Sequence, residues 1–178
     1  MSKNNKLIFQ GLTIVAWIIF VGLCIEAGGL LINFIFSVFQ PEYVGNLYQK
    51  LDLSSMYQEN KWAFFGAFSF VLVIAILKAH LFYIVIRLLH KLDLEKPFSG
   101  FVANKINSIA YYTFSIGIIS HIAREVVKNL IHHGYEIDTL NNFWVDSQAF
   151  IIMAAIIYII AVIFKRGIEL QNENELTI

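Results

Sequence analysis

Between Leu7 and Phe39 the chain runs for 33 residues with one charged side chain, Glu26. Nothing else in the sequence limits the fold as much. About 20 consecutive apolar residues match the hydrocarbon thickness of a bilayer, and few soluble folds can bury such a run. Three more stretches are of the same kind. Trp62 to Leu89 is interrupted by Lys78, His80 and Arg87. Ile106 to Ala123 carries His121 near its end. Val145 to Phe164 holds only Asp146, Ser147 and Gln148 at its start. Lipid offers the backbone no hydrogen-bond partners, so only helices or closed barrels cross it. Runs of this length without two-residue alternation predict helices. The expectation is an all-α integral membrane four-helix bundle with short amphipathic interfacial helices in its loops. Its spans fall at about 7–39, 62–89, 100–132 and 145–166, with a tail at 167–178, in one domain of 1–178.

Composition agrees. The 178 residues are 58% hydrophobic and 15% charged, with mean hydropathy +0.66, whereas soluble domains are nearer half apolar and a quarter charged. The 13 basic and 13 acidic residues cancel, which argues against direct nucleic-acid binding, since a phosphate backbone demands a basic excess. Cys24 is the single cysteine, so an internal disulfide and a paired-cysteine redox or metal site are excluded. The first apolar run is too long for a signal-peptide core and no small-residue cleavage site follows it, so it reads as a retained span.

Lysine and arginine give an orientation. With both termini in the cytoplasm, that side holds Lys3, Lys6, Arg87, Lys91, Lys96, Lys105, Lys165 and Arg166. The outer side holds only Lys50, Lys61, Arg124 and Lys128. Trp62 and Trp144 then both fall at the outer interface, where aromatic residues gather. Val44, Leu47, Tyr48 and Leu51 recur at helical spacing, which predicts a short amphipathic helix on the outer surface. Pro97 ends the second helix, and Phe98 and Phe101 fall at the inner interface. The first and third helices exceed the membrane thickness. Either they project outward, pack on each other and form a small cap with the loop helix, or Gly28-Gly29 kinks the first and lays its end along the surface.

Ionisable groups inside spans are costly, and each is a candidate site. Counting along the helices brings Glu26 and Arg124 to similar depth, with His121 one turn below Arg124 and Glu125 beside it. A Glu26–Arg124 contact is the expected pair, read either as a bundle fastener or as a proton or ligand site. Lys78 is expected to snorkel to the cytoplasmic side. No two histidines in the spans share a level, as bis-histidine haem requires. His121 and Glu125 alone do not signal a metal. No cofactor is implied. No nucleophile elbow, zinc-protease motif or phosphate loop is present, and the chain is not expected to be an enzyme.

The closing stretch, "FKRGIELQNENELTI", carries more information. Together with Pro97-Phe98 it resembles a bacterial membrane-protein family known as domain of unknown function 2975. That family has four spans, a Pro-Phe element between spans two and three, and a terminus that Leu170, Gln171, Glu173, Asn174, Glu175, Leu176, Thr177 and Ile178 match. Its members are often encoded beside a small helix-turn-helix regulator. The resemblance therefore implies a bacterial inner-membrane protein and a membrane partner for a transcription factor. Two functions follow as expectations. One is a regulator or adaptor whose cytoplasmic face binds a soluble partner through a tail that is helical to Ile168 and extended beyond. In the competing arrangement that tail folds onto its own inner loop, with Glu169 or Glu173 pairing Lys91, Lys96 or Lys105. The other function is a small transporter or permeation subunit lined by Glu26, His121, Arg124 and Glu125, which would need a homo-oligomer.

Overall fold

A computed structural model describes residues 3–175 apart from 49–51, 94–96, 136 and 145; those described form helices and no β-sheet. Helix α1 spans Lys3–Phe39 and a 3-10 turn follows at Pro41–Asn46. Then come α2 (Ser54–Glu59), α3 (Lys61–Lys91) and α4 (Gly100–His132). A second 3-10 turn, Asp138–Phe143, leads into α5 (Ser147–Glu175). Local chemistry sets several of these ends. The Asn60 side chain accepts from the Trp62 and Ala63 amides and starts α3. Ser99, placed after Pro97, does the same for the Val102 amide and starts α4. Gly134, at φ 97°, ends α4 in the left-handed conformation that glycine adopts without a Cβ clash.

Among the described residues three helices are long and apolar enough to cross a membrane, Leu7–Phe39, Lys61–Lys91 and the stretch Leu140–Glu173. Their large side chains are exposed over most of α1 away from its α3 face and along α5, from Leu7 and Ile18 to Ile156 and Ile163. Water does not tolerate apolar surface on that scale; the protein is a membrane protein. Helix α4 is as long but falls outside that set, because Asn107, Ser108, Thr113, Ser115 and Ser120 dilute its apolar run. Three of these hydroxyls donate to the carbonyl one turn back, Ser108 at 2.8 Å, Thr113 at 2.7 Å and Ser115 at 2.9 Å. That bond removes the cost of carrying a hydroxyl in an apolar setting.

The position of α4 explains its composition. It lies between α3 and α5, and packs most extensively on α5, while α1 packs on the other side of α3. The long helices thus form an open row, α1–α3–α4–α5, in which each touches its neighbour in sequence. Helix α4 buries small residues, Ala103, Ala110, Thr113, Gly117, Ser120 and Ala123. Small side chains let backbones approach where no hydrophobic effect drives helices together. At Gly117 an added Cβ would lie 3.0 Å from the Ile151 amide nitrogen and 3.2 Å from the Ser147 carbonyl oxygen.

One end of the row carries a cap. Val44, Leu47, Leu53, Met56 and Tyr57 join Ile137, Leu140 and Trp144 over Leu30, Phe64, Phe68 and Val127 in one buried cluster. This corrects three expectations. The Val44–Leu47–Tyr48 stripe faces protein, not a membrane surface, and its backbone is not an α-helix, being a 3-10 turn to Asn46 and extended at Leu47; Leu51 lies outside the described residues. Trp144 is 1% exposed inside the cap, with Nε1 donating to the Asn141 side chain at 3.3 Å, so it is no lipid-facing anchor; Trp62 is 88% exposed. The cap does not come from the first and third long helices packing together, since α3 stands between them. Nor is α1 interrupted at Gly28-Gly29. Gly29 instead receives Tyr48, whose ring would be 2.7 Å from an added Cβ.

Candidate functional site

Two places carry the residues singled out by sequence. The first is the part of α4 nearer the cap. Arg124 Nη2 lies 3.3 Å from His121 Nδ1, and Arg124 Nε lies 3.8 Å from Glu125 Oε1. His121 and Glu125 are exposed and Arg124 is half-buried. Exposed pairs of this kind contribute at most about 1 kcal/mol. Among the described residues no three His, Cys, Asp or Glu side chains gather so as to hold a metal ion.

Glu26 does not join this group, and no ion pair links it to Arg124 among the described residues. Two ring contacts give the register. Phe34 of α1 meets Phe68 of α3 at 5.6 Å, and His80 of α3 meets Tyr112 of α4 at 4.7 Å. Counting along the antiparallel helices from these contacts puts Arg124 level with Phe34, about two turns nearer the cap than Glu26. The expected Glu26–Arg124 contact fails on depth and on neighbourhood, because α1 packs on α3. Lys78 is a second correction. Its Nζ lies over the Phe150 ring at 5.9 Å, in the first turns of α5, and so points toward the cap. Side chains on a helix lean toward its N-terminus, and for α3 that is the cap end.

The second place is the opposite end, called here the tail end. The Pro97-Phe98 element and the closing stretch come together there. The Phe98 ring lies 5.3 Å from that of Phe164. It also covers Gly167, where an added Cβ would be 2.7 Å from Phe98 Cδ1. Helix α5 does not become extended after Ile168 but continues to Glu175. Arg166 Nη1 donates to Glu169 Oε2 at 2.7 Å across one turn, a spacing that supports helix. Glu169 is therefore held by its own helix and not by Lys91 or Lys105. Those two lysines place their Nζ atoms 5.1 Å and 5.8 Å from the Phe101 ring; Lys96 lies outside the described residues. Beyond Gly167, Leu170 is 53% exposed and Asn172 and Glu173 are exposed, while Gln171 is half-buried. Asn174 and Glu175 complete the last turn of α5, and Leu176, Thr177 and Ile178 lie outside the described residues.

Two short motifs far apart in sequence are thus one structural element, an aromatic residue seated on a glycine at the root of the last helix. In a comparison with family models, the family described as "Protein of unknown function (DUF2975)" matches residues 46–178. The chain belongs to the DUF2975 family. The matched segment includes α2 to α5, the cap residues from Leu47 onward and the Phe98–Gly167 seat, while α1 and Val44 precede it. Searches of curated proteins and of solved structures give no match. Phe164 and Gly167 were not singled out from sequence. The available signal was a lone glycine immediately after Lys165-Arg166, where a helix leaving a membrane has no other call for one.

Proposed function

We propose that this DUF2975 protein is a non-enzymatic adaptor of the bacterial cytoplasmic membrane, with both termini in the cytoplasm, whose tail end binds a soluble partner. The observation that carries the reading is the continuation of α5. It runs as unbroken helix from Lys165-Arg166 to Glu175, about 15 Å at helical rise, and displays Leu170, Asn172 and Glu173 to solvent. Its root is fastened by Phe98, so the projecting turns are aimed rather than loosely tethered. A helix that presents an apolar side chain among polar ones can fit a groove on a partner. The family's association with small helix-turn-helix regulators makes such a regulator the partner of choice. The carrier reading asks Glu26, His121, Arg124 and Glu125 to share one polar route, and Glu26 lies about two turns from Arg124 on a helix that packs elsewhere.

Removal of 172–178, followed by co-purification from mild detergent, tests the proposal. The adaptor reading expects a soluble DNA-binding protein with the full chain and its loss with the shortened one. An unchanged set of co-purifying proteins would remove the motive for it.

A further inference from the structure

Helices α4 and α5 leave a groove between them that changes character along its length. Toward the middle of the row it is a cavity of about 360 Å³ walled by Phe114, Ile151, Ala154 and Ala155. Toward the tail end it widens to about 600 Å³ and gains Asn104, Asn107, Lys165 and Glu169. Tyr111 and Tyr158 line both parts, their rings 6.4 Å apart, so the two parts are one continuous trough. Alanines and Gly100 make it deep.

We propose that this trough binds one anionic phospholipid, an acyl chain in the apolar part and the phosphate beside Lys165. The length fits. From Ala155, near the middle of the 145–166 span, to Lys165 α5 rises about 15 Å, the thickness of half a hydrocarbon core, which puts Lys165 at headgroup depth. The sequence of chemistry also fits, apolar first, then tyrosine hydroxyls, then amides and a cation. The charge fits an anion. Glu169 is engaged by Arg166 at 2.7 Å, whereas Lys165 has no ion-pair partner among the described residues. The first turn of α4, with Gly100 and Ala103 in the wall, adds the positive end of a helix. The volume is that of a site for a small ligand. A second copy of the chain laying a helix into the trough is the competing occupant. It would leave Lys165 without an anion, since the one carboxylate in the wall is already taken. The proposal rests on the membrane location and does not depend on the adaptor reading.

Native mass spectrometry of the full chain, stripped of lipid in detergent and offered equal phosphatidylglycerol and phosphatidylcholine, tests it. One phosphatidylglycerol should remain bound, preferred about five-fold, the worth of one basic residue near an anionic headgroup. Lys165→Gln should bring the two lipids near parity, and Lys128→Gln, at the cap end, should leave the preference intact. Ala155→Trp should block both lipids; should that variant fail to fold, Lys165→Gln still decides, because its side chain is exposed. Equal binding by the unsubstituted chain, or an unchanged preference in Lys165→Gln, would overturn the proposal. So would a dimer that Ala155→Trp dissolves, which would make the trough an interface between copies.

Discussion

Gly117→Ala adds one methyl group where α4 and α5 come closest. Its Cβ would lie 2.7 Å from Ile151 Cγ1, 3.0 Å from the Ile151 nitrogen and 3.2 Å from the Ser147 oxygen. The isoleucine side chain can rotate, but the two backbone atoms cannot yield without moving α5. Ordinary contact begins near 3.4 Å, so the helices must part by about 0.4 Å along the seam. A gap of that order forfeits up to about a quarter of each neighbouring dispersion contact, and overpacking typically costs about 1–3 kcal/mol. We expect about 2 kcal/mol, near a thirty-fold shift toward the unfolded state. Equilibrium unfolding in mixed micelles measures it, with Gly66→Ala as the matched control, because an added Cβ there meets nothing within 4 Å. The control should be about 0.5–1 kcal/mol more stable than the starting protein, the gain of alanine over glycine inside a helix. If Gly117→Ala unfolds with the control, α4 and α5 are not in backbone contact and the packing argument fails.

Phe98→Ala removes the seat on Gly167 and the contact with Phe164. Phe98 is 42% exposed, so the loss should be well below that of a core phenylalanine, about 1–2 kcal/mol, read as several-fold faster proteolysis within the last turns of α5. Asp52 accepts from the Ser54 amide at 2.9 Å and the Ser54 hydroxyl at 2.6 Å, and these bonds hold its carboxyl below the ordinary range. Its contribution to the start of α2 is therefore full above the unfolded value near 4 and is lost as pH falls through the lower folded value. Amide exchange in α2 should be faster in Asp52→Ala at pH 6, with the two proteins converging as pH drops below about 4. Glu26→Gln and Arg124→Gln should be additive within about 0.5 kcal/mol in unfolding experiments; a larger coupling would restore the ion pair that the register argues against.

Much of this fold is legible in the chain, and the unreadable parts share a cause. Helices α1, α3 and α5 announce themselves by long apolar runs. Helix α4 reads as an equal fourth, yet its Thr113, Gly117 and Ser120 are there because α3 and α5 shield it, and shielding depends on arrangement. Arrangement also defeats the Glu26–Arg124 pair. Residue counting estimates depth along a single helix, but the order α1–α3–α4–α5 decides who meets whom. Near the cap, spacing picks out Val44 and Leu47 as inward-facing but misreads what they face, lipid instead of Phe64 and Leu30. In the tail, the polar composition after Ile168 reads as an extended end. The Arg166–Glu169 bond and the Phe98 seat keep it helical, and the second is invisible without the partner loop. The Pro97-Phe98 and tail motifs are each recognisable by themselves; that they touch is what the fold adds.

The central claim is that the projecting end of α5 meets a soluble partner. A photo-crosslinking amino acid at Leu170, in the full chain in living cells, tests it most directly, with Ile152 on the membrane-exposed part of α5 as the control. The account predicts one discrete adduct with a soluble DNA-binding protein from position 170, none from 152, and its disappearance when 172–178 are removed. An adduct that survives that removal, or only lipid and self-adducts at both positions, would contradict it.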